Sequence, residues 1–390
     1  MTEYVRLGDV FELQMGKTPS RDILEYWNNG DNPWVSISDM SNYSKYVGKT
    51  KETISNLGVE KSGIKIVPPN TVIMSFKLSI GKTAITTDSI YTNEAIMAFI
   101  PRDRLVYDAD YLYYMLSGLN WDKGVNKAVK GNTLNKKTIS NYYVHLPPLE
   151  EQKRIAAALD TMSSVISRRK RQIALLDEAA KSLFVEMFGD PVENPMGWDV
   201  ELLGDIADDF KYGTSSKSSY EKIGHPILRI PNIVSETISL NDLQYNPLSG
   251  AEYERYKLAE NDILFIRTNG TVENIGKCVL VQKEHEDFVY ASYLIRARVT
   301  DERINHSYLI SALRSDMIRK DIESSASKSA GQNNINIKKL SNLKIPLPPL
   351  DLQNLFAARI EALEAQRASC ERGLKQMETA FAAMMQEYFG

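Results

Sequence analysis

"LPPLEEQKRIAAAL" begins at Leu146 and "LPPLDLQNLFAARI" at Leu347, and this repetition constrains the fold more than any other feature of the chain. In each copy the Pro-Pro pair closes an extended segment and stops the following helix from extending backwards, because proline lacks an N–H and biases its predecessor towards β geometry. Behind the first pair, Ile155, Leu159, Met162, Ile166, Arg169, Ile173, Leu176, Ala180, Leu183 and Met187 follow alternating spacings of four and three. Behind the second, Phe356, Ile360, Leu363, Arg367, Cys370, Leu374, Met377, Phe381, Met384 and Tyr388 do the same. Heptads held this long predict a coiled coil, each helix extending about 55–60 Å. Arg169 and Arg367 interrupt the apolar seams near their middles, where they could fix the pairing. The copies lie about two hundred residues apart, too far for a solenoid repeat, so duplicated domains are expected.

The duplication extends in both directions. Gln152 answers Gln353, Ala156-Ala157 answers Ala357-Ala358, and "EMFG" answers "EYFG". Upstream, "LGDV" at Leu7 answers "LGDI" at Leu203, "PWVSISDM" at Pro33 answers "PILRIPNI" at Pro226, and "YLYYML" at Tyr111 answers "YLISAL" at Tyr308. Short β-branched and aromatic runs such as "NTVIMSFKL" and "NDILFIRT" alternate with turn residues, which predicts mixed strands and helices. The expected fold is therefore α+β: a first mixed α/β domain over 1–145, a helix over 146–189, a second domain over 190–346 and a second helix over 347–390. Antiparallel pairing of the helices would create a pseudo-two-fold axis and bring the end of the chain close to Met1 in a nearly closed ring.

Catalytic patterns fail one by one. Gly81-Lys82-Thr83 has Phe76 where a phosphate loop needs glycine, and Gly270 to Gly276-Lys277 is one residue too long and ends in Cys278. His145, His225, His285 and His306 show no metal-ligand spacing, and Asp208-Asp209 reads as solvated surface. The two cysteines lie far apart, so neither a disulfide framework nor structural zinc is expected, and a reducing cytoplasm is the simplest setting. No apolar run is long enough to span a membrane and the N-terminus lacks a signal-peptide pattern. Net charge is −3, which argues against a nucleic-acid partner only as an average. Lys123, Lys127, Lys130, Lys136 and Lys137 form one acid-free stretch, and Lys328, Lys338, Lys339 and Lys344 another. The chain reads as a non-enzyme with local cationic surfaces.

Several segments, taken in order, resemble a known family. They are "GKTPSRDILEYW" with "PWVSISDM" in the first half and "FGDPVENPMGW" at the junction; in the second half they are "YGTSSK", "PILRIPNI", "NDILFIRTNGTVENIGK" and "GQNNINIKKLSNLKIPLPPLDLQ". Over the whole chain this is similar to the specificity subunit of type I restriction–modification systems. The resemblance implies two target-recognition domains separated by antiparallel helices and no catalytic activity of the chain's own. It also implies double-stranded DNA as ligand, two modification subunits that use S-adenosylmethionine to methylate adenine at N6, and, where present, restriction subunits. No cofactor is expected on this chain. A stand-alone DNA-binding repressor or architectural protein, and a coiled-coil scaffold that never meets nucleic acid, are the rival readings.

Base edges are read by Arg, Lys, Asn and Gln, and phosphates by Lys, Ser, Thr and backbone donors. The densest such stretches fall at matching repeat positions. In the first half they give Lys17, Thr18, Ser20, Ser36, Ser38, Lys77, Ser79, Lys130, Asn132 and Thr133 as candidate DNA-binding residues. In the second they give Tyr212, Thr214, Ser215, Arg229, Asn232, Arg267, Asn269, Lys328, Gln332, Asn333 and Asn334. Each could instead be an ordinary loop residue. Gly16, Gly213 and Gly270 read as turn glycines. Leu175, Phe184, Phe188, Leu355 and Phe389 lie off the helix seams, and either dock partner subunits or pack on the chain's own domains. Gln152 and Gln353 are expected to cap the helix starts, with partner contact as the alternative.

Overall fold

The computed structural model describes residues 4–77, 79–102, 105–121, 126–128, 131–329 and 331–390. The chain forms two compact units: Met1–Lys170 with Arg372–Gly390, and Arg171–Glu371. The boundary falls inside both long helices, Leu149–Phe188 and Leu350–Phe389, so each unit contains one half of each.

In unit 1, among the described residues, Phe11–Met15, Ile96–Pro101, Val72–Ser75 and Thr83–Ile85 form an antiparallel sheet in that spatial order. Trp27–Val35 pairs antiparallel with Glu52–Ile54 and parallel with Tyr91–Thr92. Unit 2 repeats the plan. Asp209–Tyr212, Leu294–Arg298, Ile263–Ile266 and Cys278–Leu280 make the first sheet, and Gln244–Asn246, His225–Leu228 and Val289–Tyr290 the second. The central strands are apolar because both their faces are covered: "VIMS" at Val72 and "ILFI" at Ile263 are buried at all four positions. A ribbon joins the start of each domain to the strand before its Pro-Pro pair, Tyr4–Arg6 with Tyr143–His145 and Asp199–Leu202 with Lys344–Leu347.

The long helices show the expected register. Met162, Ile166, Ile173, Leu176 and Ala180 are half-buried between exposed neighbours, as are Leu363, Leu374 and Met377. Within unit 1, Lys170 meets Glu378 at 2.8 Å; within unit 2, Asp177 meets Arg367 at 2.7 Å. Arg154 faces Tyr388 in unit 1 and Arg359 donates to Met187 Sδ at 3.9 Å in unit 2, so in each unit the two helix halves run antiparallel. Arg367 also pairs with Glu371 at 3.0 Å, so this polar seam residue ends in a local charge network.

Helix and domain share one core in each unit. In unit 2, Phe184 stacks on Tyr308 at 5.8 Å, Phe188 meets the same ring edge-on at 4.7 Å, and Phe356 lies edge-on to both phenylalanines at 5.7 and 5.2 Å. In unit 1, Phe389 packs edge-on against Tyr111 at 5.4 Å. Phe184, Phe188 and Phe389 are thus core residues that anchor the helices to the domains, correcting the docking-surface reading for these three. The reason is geometric: a position beside the seam faces whatever lies next to the coil, and here that is the domain's own tyrosine-bearing helix. Leu175 and Leu355, by contrast, are 52% and 48% exposed.

Gln152 and Gln353 do not cap the long helices as expected. Gln152 accepts the Asp108 N–H at 2.9 Å and donates to the Pro147 carbonyl at 2.7 Å. Gln353 accepts the Asn305 N–H at 2.8 Å and donates to Pro348 at 2.8 Å and Arg303 at 3.0 Å. Neither accepts from its own helix's first turn, as a capping side chain would; each is a buried clamp between the long helix and the N-cap residue of a domain helix. Cys278 and Cys370 are buried and form no disulfide. Burial pushes the Cys278 thiol up to about 11, which leaves it unreactive. Among the described residues no helix is long and apolar enough to cross a membrane, and no three His, Cys, Asp or Glu side chains gather to hold a metal.

Candidate nucleic-acid interface

One backbone junction organises the candidate residues of each unit. In unit 2 it is the segment 290–293. The Thr214 N–H donates to Tyr290 O at 2.9 Å, Ser292 N–H to Thr214 O at 2.8 Å, Ala291 N–H to Leu228 O at 3.0 Å, and Arg267 N–H to Tyr293 O at 2.9 Å. The loop after Tyr212, the strand end before Arg229 and the strand end at Arg267 therefore converge. Ile335 N–H donates to Arg267 O at 2.9 Å, which adds the strand Gln332–Asn334. Unit 1 uses the same bonds: Lys17 to Thr92 at 2.9 Å, Asn93 to Val35 at 2.9 Å, Phe76 to Ala95 at 3.0 Å and Leu134 to Phe76 at 3.0 Å. Gly16 and Gly213 sit where the chain passes closest to this junction. A Cβ would stand 1.9 Å from Thr92 O in one and 2.3 Å from Ala291 O in the other, so close backbone approach, not a turn, requires them.

Around the unit 2 junction, the Arg267 guanidinium lies over the Tyr212 ring at 4.4 Å and donates from Nη1 to Ser292 O at 3.4 Å. Asn269 holds its own turn by accepting Thr271 N–H at 2.9 Å, and Asn333 donates to Gly270 O at 3.1 Å. Thr268 donates to Asn334 at 2.6 Å. These bonds set the shape of the loop, and Ser215, Lys328 and Gln332 stand exposed around it. Arg229 is held to Asp242 at 2.9 Å; the Tyr220 hydroxyl, donating at 2.6 Å, and that guanidinium keep Asp242 below the usual carboxylate range.

Some candidates have structural duties instead. Asn232 is buried, accepts Arg229 N–H at 3.0 Å and donates to Ser239 and Asn241 carbonyls at 3.0 and 3.1 Å, which leaves it no free donor for a base. Buried Thr214 turns its hydroxyl to Ser216 N–H at 3.1 Å. Ser36 closes a capping box with Asp39. These three are corrections to the contact reading, because satisfied groups that are buried (Thr214, Asn232) or half-buried (Ser36) are costly to redirect.

In unit 1, Lys17, Thr18, Ser20, Tyr26, Lys61 and Glu94 line an open cleft of about 590 Å³. Lys17 donates to Ser62 O at 3.1 Å, and Thr18 contacts Glu94 and, at 3.1 Å, Asn93. Ser38 is exposed and accepts from Lys51 at 3.0 Å. Lys77 lies 5.4 Å over the Phe76 ring, and Ser79 turns back to Lys77 O at 2.9 Å. Lys130 lies outside the described residues, and Asn132 and Thr133 are described only as backbone of the hairpin with Asn126–Ala128.

Sequence patterns missed Arg21, whose guanidinium lies 3.6 Å over Trp27 and 5.1 Å from Trp34, and which grips Glu52 with two bonds of 2.5 and 3.1 Å. The Trp27 and Trp34 indoles are themselves fixed by Ser20 and Lys17 carbonyls at 3.0 Å each. Exposed Tyr293, beside Arg267, was also missed. The only local signal was the pair of tryptophans flanking the polar run "NNGDNP".

The family model described as "Type I restriction modification DNA specificity domain" matches residues 2–176 and again 195–378. The chain is 26% identical to the type I restriction enzyme MjaIX specificity subunit of Methanocaldococcus jannaschii, over 92% of this chain and 85% of that one. It is 27% identical to the EcoKI specificity subunit of Escherichia coli K12, over 83% of this chain and 73% of that one. The crystal structure of a type I restriction-modification S subunit from M. genitalium shares the fold, with a TM-score of 0.60 at 14% identity, covering 100% of this chain and 96% of that one. Two matches of one family model, falling on two units built from the same hydrogen bonds, agree on a single assignment: the chain belongs to the specificity subunits of type I restriction–modification systems.

Proposed function

We propose that each unit reads one half of a bipartite, asymmetric DNA site, and that the long helices carry two modification subunits and set the spacer between the half-sites. The observation that carries this reading is the junction itself. The same backbone bonds place Lys17, Thr18 and Phe76 of one unit where the other has Thr214, Ser215 and Arg267, and of these Lys17, Thr18, Ser215 and Arg267 reach the surface. A shared scaffold with different side chains suits two related but unequal half-sites. The chain has no chemistry of its own in this reading; S-adenosylmethionine and the methyl transfer belong to the modification subunits, acting in the cytoplasm. Exposed Leu175 and Leu355 supply apolar surface on each helix for those partners.

Mapping N6-methyladenine across the host genome with and without this chain tests the reading directly. Loss of methylation at one bipartite motif is expected; an unchanged map, or copurification without any methyltransferase chain, would sink it in favour of a stand-alone DNA-binding protein. Binding to duplex DNA should also fall at least about a hundredfold between about 50 and about 200 mM salt, because phosphate contacts release counterions. Inserting one heptad in each long helix should lengthen the preferred spacer by about 3 base pairs, given the rise per residue and per base pair. The same half-sites at an unchanged spacing would show that the helices do not set it.

A further inference from the structure

Arg267 and Phe76 occupy the same place in the two units. Each donates its N–H to the residue that ends the junction, Tyr293 or Ala95, and each carbonyl accepts the N–H of the matching isoleucine or leucine, Ile335 or Leu134. Their side chains have opposite fates. Phe76 is 1% exposed and belongs to the unit 1 core. Arg267 stays partly exposed on the Tyr212 ring, next to exposed Tyr293.

The Arg267 guanidinium differs from those of most arginines in unit 2 in lacking an acidic partner among the described residues. Arg229, Arg296, Arg298, Arg303, Arg314 and Arg319 all face a carboxylate within ion-pair distance. Arg267 has no such partner among the described residues; its protein contacts are the Tyr212 ring and one long bond to Ser292 O, and its Nε is buried without a partner. A half-buried cation with unspent donors carries a desolvation cost that the free protein does not offset. Stacking on Tyr212 fixes the plane of the fork, so little rotamer entropy is lost when it meets a ligand. The acceptor pair that matches a fixed guanidinium fork on duplex DNA is guanine O6 and N7 in the major groove.

Resting on the DNA-reading function above, we propose that position 267, matched by position 76, is the point at which the two units diverge in base recognition: Arg267 reads a guanine in the half-site of unit 2, and Phe76 abolishes that contact in unit 1. The exposed loop residues around Arg267 then position the duplex, while the fork supplies discrimination at one base pair.

The test reconstitutes the full chain with its modification subunits and measures methylation of a duplex library randomised at both half-sites. The wild type should require guanine at one position that Arg267→Gln makes about ten- to a hundredfold less favoured, shifting preference towards adenine, the base a Gln amide can grip bidentately. Every position of the other half-site should keep its preference. Arg267→Lys keeps the charge but loses the fork, and should weaken that guanine preference without introducing adenine. Should the Gln variant fail to fold, the Lys variant alone carries the test. A wild type without any sequence preference would overturn the DNA-reading function itself. A wild type that reads a bipartite site which neither variant alters, or a loss spread evenly over all positions, would overturn the role of Arg267 alone.

Discussion

Phe356→Ala is expected to destabilise unit 2 by about 3–5 kcal/mol, the range for truncating a buried phenylalanine. The ring is fully buried, touches the two phenylalanines that end the first long helix, and belongs to the cluster that includes Tyr308, Leu309 and Leu313. Its removal leaves a cavity where both helix halves meet the domain, and it deletes two edge-on aromatic pairs worth about 0.5–1.5 kcal/mol each beyond their buried area. For a unit of this size the midpoint of the corresponding thermal transition should drop by roughly 6–20 °C. Leu355→Ala, one residue earlier but exposed, should stay within about 0.5 kcal/mol of the wild type. Scanning calorimetry of the three full-length chains decides it. Equal shifts for both variants would mean that the helix is held by its outer face and that the aromatic cluster is incidental.

The contrast between Phe356 and its neighbours shows where sequence reasoning reaches and where it stops. The heptad register of both helices is legible because a 3.5-residue period is a local signal, and Phe356, Ile360 and Leu363 fall on it. The duplication is equally legible, since it needs only the chain compared with itself. Phe184, Phe188 and Phe389 are another matter: their burial depends on Tyr308 and Tyr111, which the chain brings in from distant segments. The candidate interface fails for a different reason. Ser, Thr and Asn serve equally as caps, turn formers and base readers, so Ser36, Thr214 and Asn232 cannot be told from Ser215 or Gln332 by residue type. Arg21 was overlooked because its platform, Trp27 and Trp34, forms only when the strand folds back over the loop.

Gln353→Leu should cost about 2–4 kcal/mol, because it strands three backbone groups at roughly 1–3 kcal/mol each, with partial relaxation. The amide accepts from Asn305 N–H and donates to the Pro348 and Arg303 carbonyls from a fully buried position. Asn305 in turn caps the helix His306–Arg314, accepting Ser307 and Tyr308 N–H at 2.9 and 3.3 Å. That helix carries Tyr308 into the aromatic cluster, where its hydroxyl donates to Pro346 O at 2.8 Å. The glutamine thus fixes the register between the long helix and the domain core, and its loss should couple to the effect of Phe356→Ala, making the double variant non-additive. Gln152→Leu in unit 1 strands only two groups, Asp108 N–H and Pro147 O, and should cost less. Gln353→Glu separates the donor from the acceptor. It keeps the bond from Asn305 but buries a carboxyl against the Pro348 and Arg303 carbonyl oxygens, so its folded-state pKa is raised above the unfolded value. The stability that a protonated glutamate provides is then fully present below the unfolded pKa and is lost as pH rises through the folded one. Denaturant melts should therefore find Gln353→Glu closer to wild type at about pH 5 than at about pH 7, whereas the deficit of Gln353→Leu should not depend on pH. A Glu variant with the same deficit at both values would place this side chain in water, outside the buried clamp.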